Sequence, residues 1–141
     1  MKATYFIQGA KTGMIKIGRS KDPIGRLSDL QSGASEDLIL LGYLNTDVER
    51  HLHRVFADLR SHGEWFYPEP KLIEFIMQEV GQEALRRGLM RYLARLVIRG
   101  LKSEELAPSI VFSKLLIAVD MDVSDDLLGA FIQAVAKRQK T

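Results

Sequence analysis

Two short segments near the start of the chain alternate apolar and polar positions on either side of a glycine-containing connection. Residues 5–8 (YFIQ) and 14–18 (MIKIG) carry the strand pattern, and residues 9–13 (GAKTG) separate them. A short connection that contains glycine is typical of a β-hairpin. The chain is therefore predicted to begin with two antiparallel strands, whose side chains alternate between the same two faces.

A helix and a third strand are predicted to follow the hairpin. Asp22 and Pro23 indicate the start of the helix, because an aspartate accepts hydrogen bonds from free backbone N–H groups and proline suits the first helical position. Gly33 is expected to end this helix in a left-handed conformation. An apolar run of strand length then occupies residues 38–44.

The remainder of the sequence is predicted to be helical. Asn45 or Thr46 is expected to cap a helix that continues to about residue 60, and the segment HGEWFYPEP reads as a turn. Further helices are predicted at residues 71–80, 82–99, 103–118 and 123–138.

This order of elements predicts an α+β protein with two units. Residues 1–80 are expected to form a small three-stranded, mainly antiparallel sheet flanked by helices, and residues 81–141 an all-helical C-terminal region. The charge balance changes at the same place: residues 1–80 hold ten Lys and Arg against eleven Asp and Glu, whereas residues 81–141 hold ten against seven. The second unit is therefore the basic one.

The composition excludes several classes of protein. The sequence contains no cysteine, which excludes disulfide frameworks, zinc fingers and cysteine nucleophiles. It has no run of about eighteen apolar residues, and its start reads as a strand instead of a targeting segment. A soluble, cytoplasmic protein without a membrane partner is therefore expected.

Polar residues of the hairpin and of the helix after it recur at a fixed spacing. Tyr5 begins a Tyr-Phe-Ile triplet, Lys16 begins a Lys-Ile-Gly triplet eleven residues later, and Arg26 lies eight residues after the triplet's glycine. This spacing resembles that of the GIY-YIG nuclease superfamily. Further along, VERHLHRVFADLRSHGEWF resembles the branch found in phage proteins and the meiotically up-regulated gene group, which carries E-x-x-x-H-x-x-F followed by GEWF. The resemblance covers residues 3–78 and implies a phage or mobile-element setting.

The resemblance implies a role for each of these residues in hydrolysing a phosphodiester. Tyr5 would orient or deprotonate the attacking water, and Arg26 would grip the scissile phosphate with its planar guanidinium. Glu49 would hold one divalent metal ion, Mg²⁺ or Mn²⁺, since such hard cations prefer oxygen ligands and keep several waters. His53, four residues after Glu49, would lie on the same helical face and point into the same site.

Lys16 stands where the superfamily has its second tyrosine. If its ammonium lies beside the phenol of Tyr5 on the neighbouring strand, it should lower the pKa of that phenol from its reference of about 10 toward neutrality. The substitution changes how the water would be activated.

Each candidate also has a purely structural interpretation. Tyr5 could be a core or cross-strand packing residue, and Arg26 a solvated charge or an ion-pair partner of Asp29. Glu49 could belong to a plain surface face, and His53 could be a half-buried histidine with its hydrogen bonds satisfied. The Glu64-Trp65-Phe66 segment is expected to close the core, with Trp65 as a base-stacking platform as the alternative.

Basic residues in two places predict contact with nucleic acid. Arg19 and Lys21 follow the hairpin directly. In the second unit, four arginines at intervals of four form a stripe along a predicted helix: Arg87, Arg91, Arg95 and Arg99. The alternative is a solubilising face or a set of ion pairs with Asp122, Asp125 and Asp126. The C-terminal helices could pair with each other or with a second copy of the chain, forming a homodimer.

The favoured prediction is a metal-dependent DNA endonuclease that hydrolyses phosphodiester bonds by single-metal water attack. A catalytically inactive DNA-binding or regulatory module of the same fold is the first alternative. A protein-interaction adaptor that works through the C-terminal helices is the second.

Overall fold

The computed structural model describes residues 1–98 and has an α+β fold. Its elements in chain order are β1 (Ala3–Gly9), β2 (Ile15–Ser20), α1 (Pro23–Ser32), β3 (Leu38–Leu44), α2 (Glu49–Val55), a 3-10 turn (Ala57–Leu59), β4 (Arg60–His62), β5 (Trp65–Phe66), α3 (Pro70–Val80) and α4 (Gln82–Ile98). The helices predicted at residues 103–118 and 123–138 lie outside the described residues. The division of the chain after residue 80 and the homodimer therefore stay predictions.

The sheet has five strands, so the prediction of three was wrong. Their order is β3-β1-β2-β5-β4, and every neighbouring pair is antiparallel. The missed strands, β4 and β5, contain three and two residues. Segments this short show no alternation, and they lie where the sequence pattern indicated the end of a helix and a turn.

Helix α1 begins as predicted, with the Asp22 carboxylate accepting a hydrogen bond from the Gly25 N–H at 3.1 Å. It ends at Ser32, but Gly33 has a φ of −105° and is not left-handed. Helix α2 starts later and ends earlier than predicted. Thr46 does not cap it, because its carbonyl accepts a hydrogen bond from the Thr4 hydroxyl at 2.8 Å and is thereby tied to β1.

The two faces of the sheet are covered very differently. One face, called here the core face, packs against α2, α3 and α4, and its buried residues include Phe6, Ile17 and Phe66. The other face, called here the site face, carries a small cluster. It consists of Tyr5, Ile7, Leu38 and Leu40 from the sheet and Leu27 from α1.

Helix α4 covers strand β3, which within residues 1–98 pairs only with β1 and forms one edge of the sheet. The approach is close at Gly88, where a Cβ atom would overlap the carbonyl oxygen of Leu40. Leu85 and Leu89 of α4 are buried in the cluster of the core face. Among residues 1–98, no helix combines the length and the apolar character that crossing a membrane requires.

Candidate active site at the free edge of strand β2

Strand β2 has a free edge, and the predicted site residues lie around it. Strand β5 pairs only with Ile15 and Lys16, and the last contact along this edge is the Ile17 N–H, which donates to the Glu64 carbonyl at 3.0 Å. Within the described part of the chain, the remainder of β2 has no strand partner on that side. Side chains from both faces of the sheet can therefore approach one another there.

Tyr5 lies on the site face next to this edge and is only 1% exposed. It is paired with Gly18 of β2, and a Cβ atom at Gly18 would overlap the end of the tyrosine ring, including its hydroxyl. The glycine thus provides the room that the phenol occupies. From α1, the Arg26 guanidinium lies close enough to the phenol to affect its ionisation.

The pKa of Tyr5 is raised above its ordinary value of 10.0, chiefly because burial disfavours the phenolate. The nearby guanidinium of Arg26 opposes this rise, whereas the negative charges of Glu64 and Glu49 add to it. The expectation that Lys16 lowers the pKa of this phenol toward neutrality was wrong. Burial outweighs the nearby cations.

Lys16 lies on the same face as Tyr5, because it is two residues from Gly18 along β2. Its ammonium lies 3.2 Å from a carboxylate oxygen of Glu64 and 5.6 Å from the centre of the Trp65 ring. Trp65 is partly buried and packs against the cluster of the site face. The lysine is therefore held by Glu64 and Trp65 and is directed at the carboxylate.

Glu49 and His53 project from α2 toward the same edge from the side of the core face. The His53 Nε2–H donates to the Ile17 carbonyl at 2.8 Å, since a carbonyl oxygen can only accept. The same nitrogen lies 3.8 Å from one oxygen of Glu49, and the Arg19 Nε lies 3.5 Å from the other. The charge of Glu49 is near enough to raise the pKa of Tyr5. Glu49, His53 and Tyr5 therefore lie near the same edge of β2.

The residues present fit a metal held by a single carboxylate. Both contacts of the Glu49 carboxylate are longer than ordinary hydrogen bonds, so neither oxygen is committed to a donor. Residues 1–98 contain no group of three or more His, Cys, Asp or Glu side chains that could hold a metal ion. A cation that keeps most of its waters, as Mg²⁺ does, suits this arrangement.

The basic residues predicted to contact nucleic acid have different surroundings. Arg19 also pairs with Asp47 at 3.3 Å, whereas Lys21 is exposed. On α4, Arg87 and Arg91 are exposed, but Arg95 points inward. It donates to Gln31 Oε1 at 3.1 Å and to the Leu38 carbonyl, so it links α4 to β3 and α1. Arg99 lies outside the described residues.

Glu64, which was expected to help close the core, lies at the candidate site instead. Its carboxylate holds Lys16 and contributes to the raised pKa of Tyr5. The signal that would identify it is the pairing of Trp65 with Lys16, which places the preceding residue beside the lysine. That pairing depends on β5, which is too short to predict from the sequence.

Comparison with known proteins places this arrangement in a family. Residues 2–82, more than half of the chain, match the sequence profile of the T5orf172 domain. The chain belongs to the T5orf172 domain family. This domain is found in phage proteins and in proteins associated with GIY-YIG-like nucleases, which supports a nuclease-related or DNA-binding role. No curated protein and no solved structure matches the chain significantly.

Proposed function

We propose that this T5orf172-domain protein is a metal-dependent DNA endonuclease of the GIY-YIG type. The observation that carries the proposal is the proximity of the Arg26 guanidinium to the Tyr5 phenol beside the free edge of β2, with the charges of Glu49 and Glu64 close to the same phenol. Cleaving a phosphodiester requires a positioned water, a cation for the charge on the phosphate, and stabilisation of the leaving oxygen. The side chains at this edge supply candidates for each requirement.

Tyr5 positions the attacking water as a neutral phenol in this mechanism. Its raised pKa keeps the hydroxyl protonated at neutral pH, so it acts through hydrogen bonds and does not act as a free phenolate. Gly18 and the rest of the sheet hold the ring in place. A water held by this hydroxyl would have a fixed direction of attack. Such positioning accelerates the reaction because the water and the phosphate are already correctly oriented.

Arg26 binds the scissile phosphate while it stays near Tyr5. A guanidinium has five N–H donors in one plane, so a bond to the phenol leaves others for two phosphate oxygens. Lys16 adds a second cation on the same face, held in place by Glu64 at 3.2 Å. Together they place positive charge where negative charge builds up during attack.

Glu49 would hold the Mg²⁺ ion, whose chemistry is to stabilise the leaving oxygen and the phosphate charge. Arg19 and His53 lie on either side of the carboxylate, at 3.5 Å and 3.8 Å, and leave its oxygens available to the ion. His53 is a positioning residue in this scheme, because its Nε2–H is already used by the Ile17 carbonyl.

Nicking of supercoiled plasmid DNA by the full chain, with and without Mg²⁺, tests the proposal. We expect Mg²⁺-dependent nicking that falls by about a hundredfold or more in Arg26→Ala and in Glu49→Gln. The matched controls are Arg54→Ala on the exposed side of α2 and Glu79→Gln on α3, both exposed, which should cut as the wild type does. Equal nicking by Glu49→Gln and by wild type would contradict the single-metal mechanism.

A non-cleaving DNA-binding module is the second candidate. It is favoured by the pairing of Lys16 with Glu64 and by the raised pKa of Tyr5, since both leave the water without an evident base. Wild-type protein that binds DNA but cuts it with neither Mg²⁺ nor Mn²⁺ would favour this candidate.

A further inference from the structure

A surface cavity of about 420 Å³ lies at the end of the site face, between the sheet and the start of α1. Ala3 and Tyr43 form its floor on β1 and β3, and Ile24 of α1 forms a wall. Lys21 and Asn45 contribute polar groups to its lining. The volume falls within the range of about 300–1,000 Å³ that is typical of pockets for small organic groups.

The cavity adjoins the candidate active site along two directions. Ala3 lies two residues from Tyr5 on the same face of β1, a separation of about 7 Å. Tyr43 is the direct partner of Tyr5 across the β1–β3 pair, so their Cβ atoms are about 5 Å apart. On the helix side, Arg26 lies one helical turn after Asp22, a residue that lines the cavity, and its backbone N–H donates to the Asp22 backbone carbonyl. A molecule that touches Arg26 can therefore extend into the cavity.

The lining combines apolar and aromatic surface with one unpaired cation. Tyr43 is 40% exposed and Ile24 is 50% exposed, so both present side-chain surface to solvent. The Asp22 carboxylate is used to cap α1 through the Gly25 N–H. Within residues 1–98, no acidic side chain lies within ion-pair distance of Lys21. The Asp22 carboxylate keeps its charge while it caps the helix, so the lining offers a ligand the Lys21 cation beside one carboxylate.

These features suit a nucleotide better than a peptide or an apolar ligand. An exposed aromatic ring stacks with any base, since every base has a π-face. The Asn45 amide can hydrogen-bond to the edge of a base, and the Lys21 ammonium can pair with a backbone phosphate. The neighbouring phosphate site at Arg26 supplies the covalent connection that brings a base to this position.

We infer that the cavity binds the base of the nucleotide adjacent to the phosphate that Arg26 holds, stacked on Tyr43. This inference rests on the proposed function, because it takes Arg26 as the phosphate ligand. A base within a duplex has both faces covered by its neighbours, so the base must be unpaired or flipped out to enter. The inferred substrate class is DNA with unpaired nucleotides at the cleavage point.

Binding of a single-stranded oligonucleotide that contains 2-aminopurine, in EDTA, tests the inference on the full chain. Stacking on Tyr43 should quench the fluorescence of the probe. Tyr43→Ala and Tyr43→Leu should lose the quenching and weaken single-strand binding by about fivefold to a hundredfold, whereas Tyr43→Phe should behave as the wild type does. Binding of a fully paired duplex should change by less than binding of the single strand.

The control is Tyr67→Ala, which removes a tyrosine that is 49% exposed, against 40% for Tyr43, at the far end of β2. Strand β5, which precedes Tyr67, pairs with the Ile15 end of β2, whereas the cavity lies at the Ser20 end. Tyr43→Leu keeps an apolar side chain, so it decides the matter if Tyr43→Ala does not fold.

The possible failures are distinguishable. Wild-type quenching and affinity in Tyr43→Leu would overturn the cavity inference, and Mg²⁺-dependent nicking would still support the nuclease. If the Tyr43 variants lose the quenching and the wild-type protein never cuts DNA, the result would support the base site and contradict the nuclease.

Discussion

The two faces of the sheet differ in how much of the fold they carry. Within residues 1–98, the cluster of the core face contains fourteen buried residues, and that of the site face contains five. Within the described residues, three helices cover the first face, whereas α1 covers the second. On the thinly covered face Tyr5 is buried and Arg26 is exposed, so a substrate can reach the guanidinium. The difference indicates that most of the stability comes from the core face, whereas the Tyr5–Arg26 part of the proposed site lies on the other face.

The largest effect is expected from adjacent residues of β1 that point to opposite faces. Phe6→Ala should lower the free energy of unfolding by about 3–5 kcal/mol, because the ring is fully buried among residues of the core face. Tyr5→Phe should lower it by no more than about 0.5–1.5 kcal/mol, because it removes one hydroxyl group and keeps the buried ring, while reducing nicking by about a hundredfold or more. Urea unfolding and plasmid nicking measure both quantities. Equal destabilisation by the two substitutions would remove the distinction between the faces.

The contact between α4 and β3 gives the next largest effect. Gly88→Ala should lower the free energy of unfolding by about 1–3 kcal/mol, because the added methyl group overlaps the Leu40 carbonyl and must displace the helix. Gly33→Ala is the matched control: no atom lies within 4 Å of the place its methyl group would occupy, and its φ of −105° suits alanine. Thermal unfolding of both variants checks this, and similar melting temperatures would contradict the close approach.

Stability at alkaline pH should report the burial of Tyr5. Because burial raises the pKa of the folded phenol above 10.0, the unfolded chain loses this proton first as the pH rises. The free energy of unfolding should therefore fall from about pH 10 upward, until the folded phenol also ionises. The contribution of Tyr5 is the difference between wild type and Tyr5→Phe in urea unfolding at pH 8 to 11. Parallel pH profiles for the two proteins would show that Tyr5 has an ordinary pKa.

The smallest expected effect concerns Glu64. Its charge is one of the weaker causes of the raised pKa of Tyr5, so Glu64→Gln should move that pKa down slightly while keeping the side-chain shape. Tyrosinate absorbance measured against pH, with the Tyr5→Phe curve subtracted, isolates this phenol. Glu69→Gln is a control because Glu69 is exposed and is not among the groups that affect Tyr5. A rise in the pKa of Tyr5 in Glu64→Gln would contradict the assignment of Glu64 as a group whose negative charge raises that pKa.

Local signals predicted the parts of this fold that depend on local physics. The Asp22-Pro23 start of α1, the apolar strand at residues 38–44 and the helix that begins near residue 70 all have such signals, and the structure contains each of them. The grouping of Tyr5 with Arg26 was what the resemblance to the GIY-YIG superfamily implied. The structure places the guanidinium near the phenol, and their roles stay predictions.

The features that could not be predicted depend on contacts between distant segments. Glu64 acts through a two-residue strand, and Arg95 leaves the predicted stripe because carbonyl and amide acceptors on β3 and α1 lie next to it. The pKa of Tyr5 depends on how deeply the phenol is buried, which the sequence does not specify. Gly88 has an ordinary helical setting in the sequence, and only the packing of α4 on β3 explains it.

The position of α4 over β3 affects where a protein fragment that contains this domain should end. Strand β3 reads LILLGYL and has a neighbour on one side only. A fragment that stops at residue 82, where the family match ends, would uncover a seven-residue strand that is rich in apolar side chains. An uncovered edge strand of this kind pairs with strands of other molecules, and the protein then aggregates. Insolubility of that fragment would reflect a missing cover and would say nothing about whether the domain can act alone.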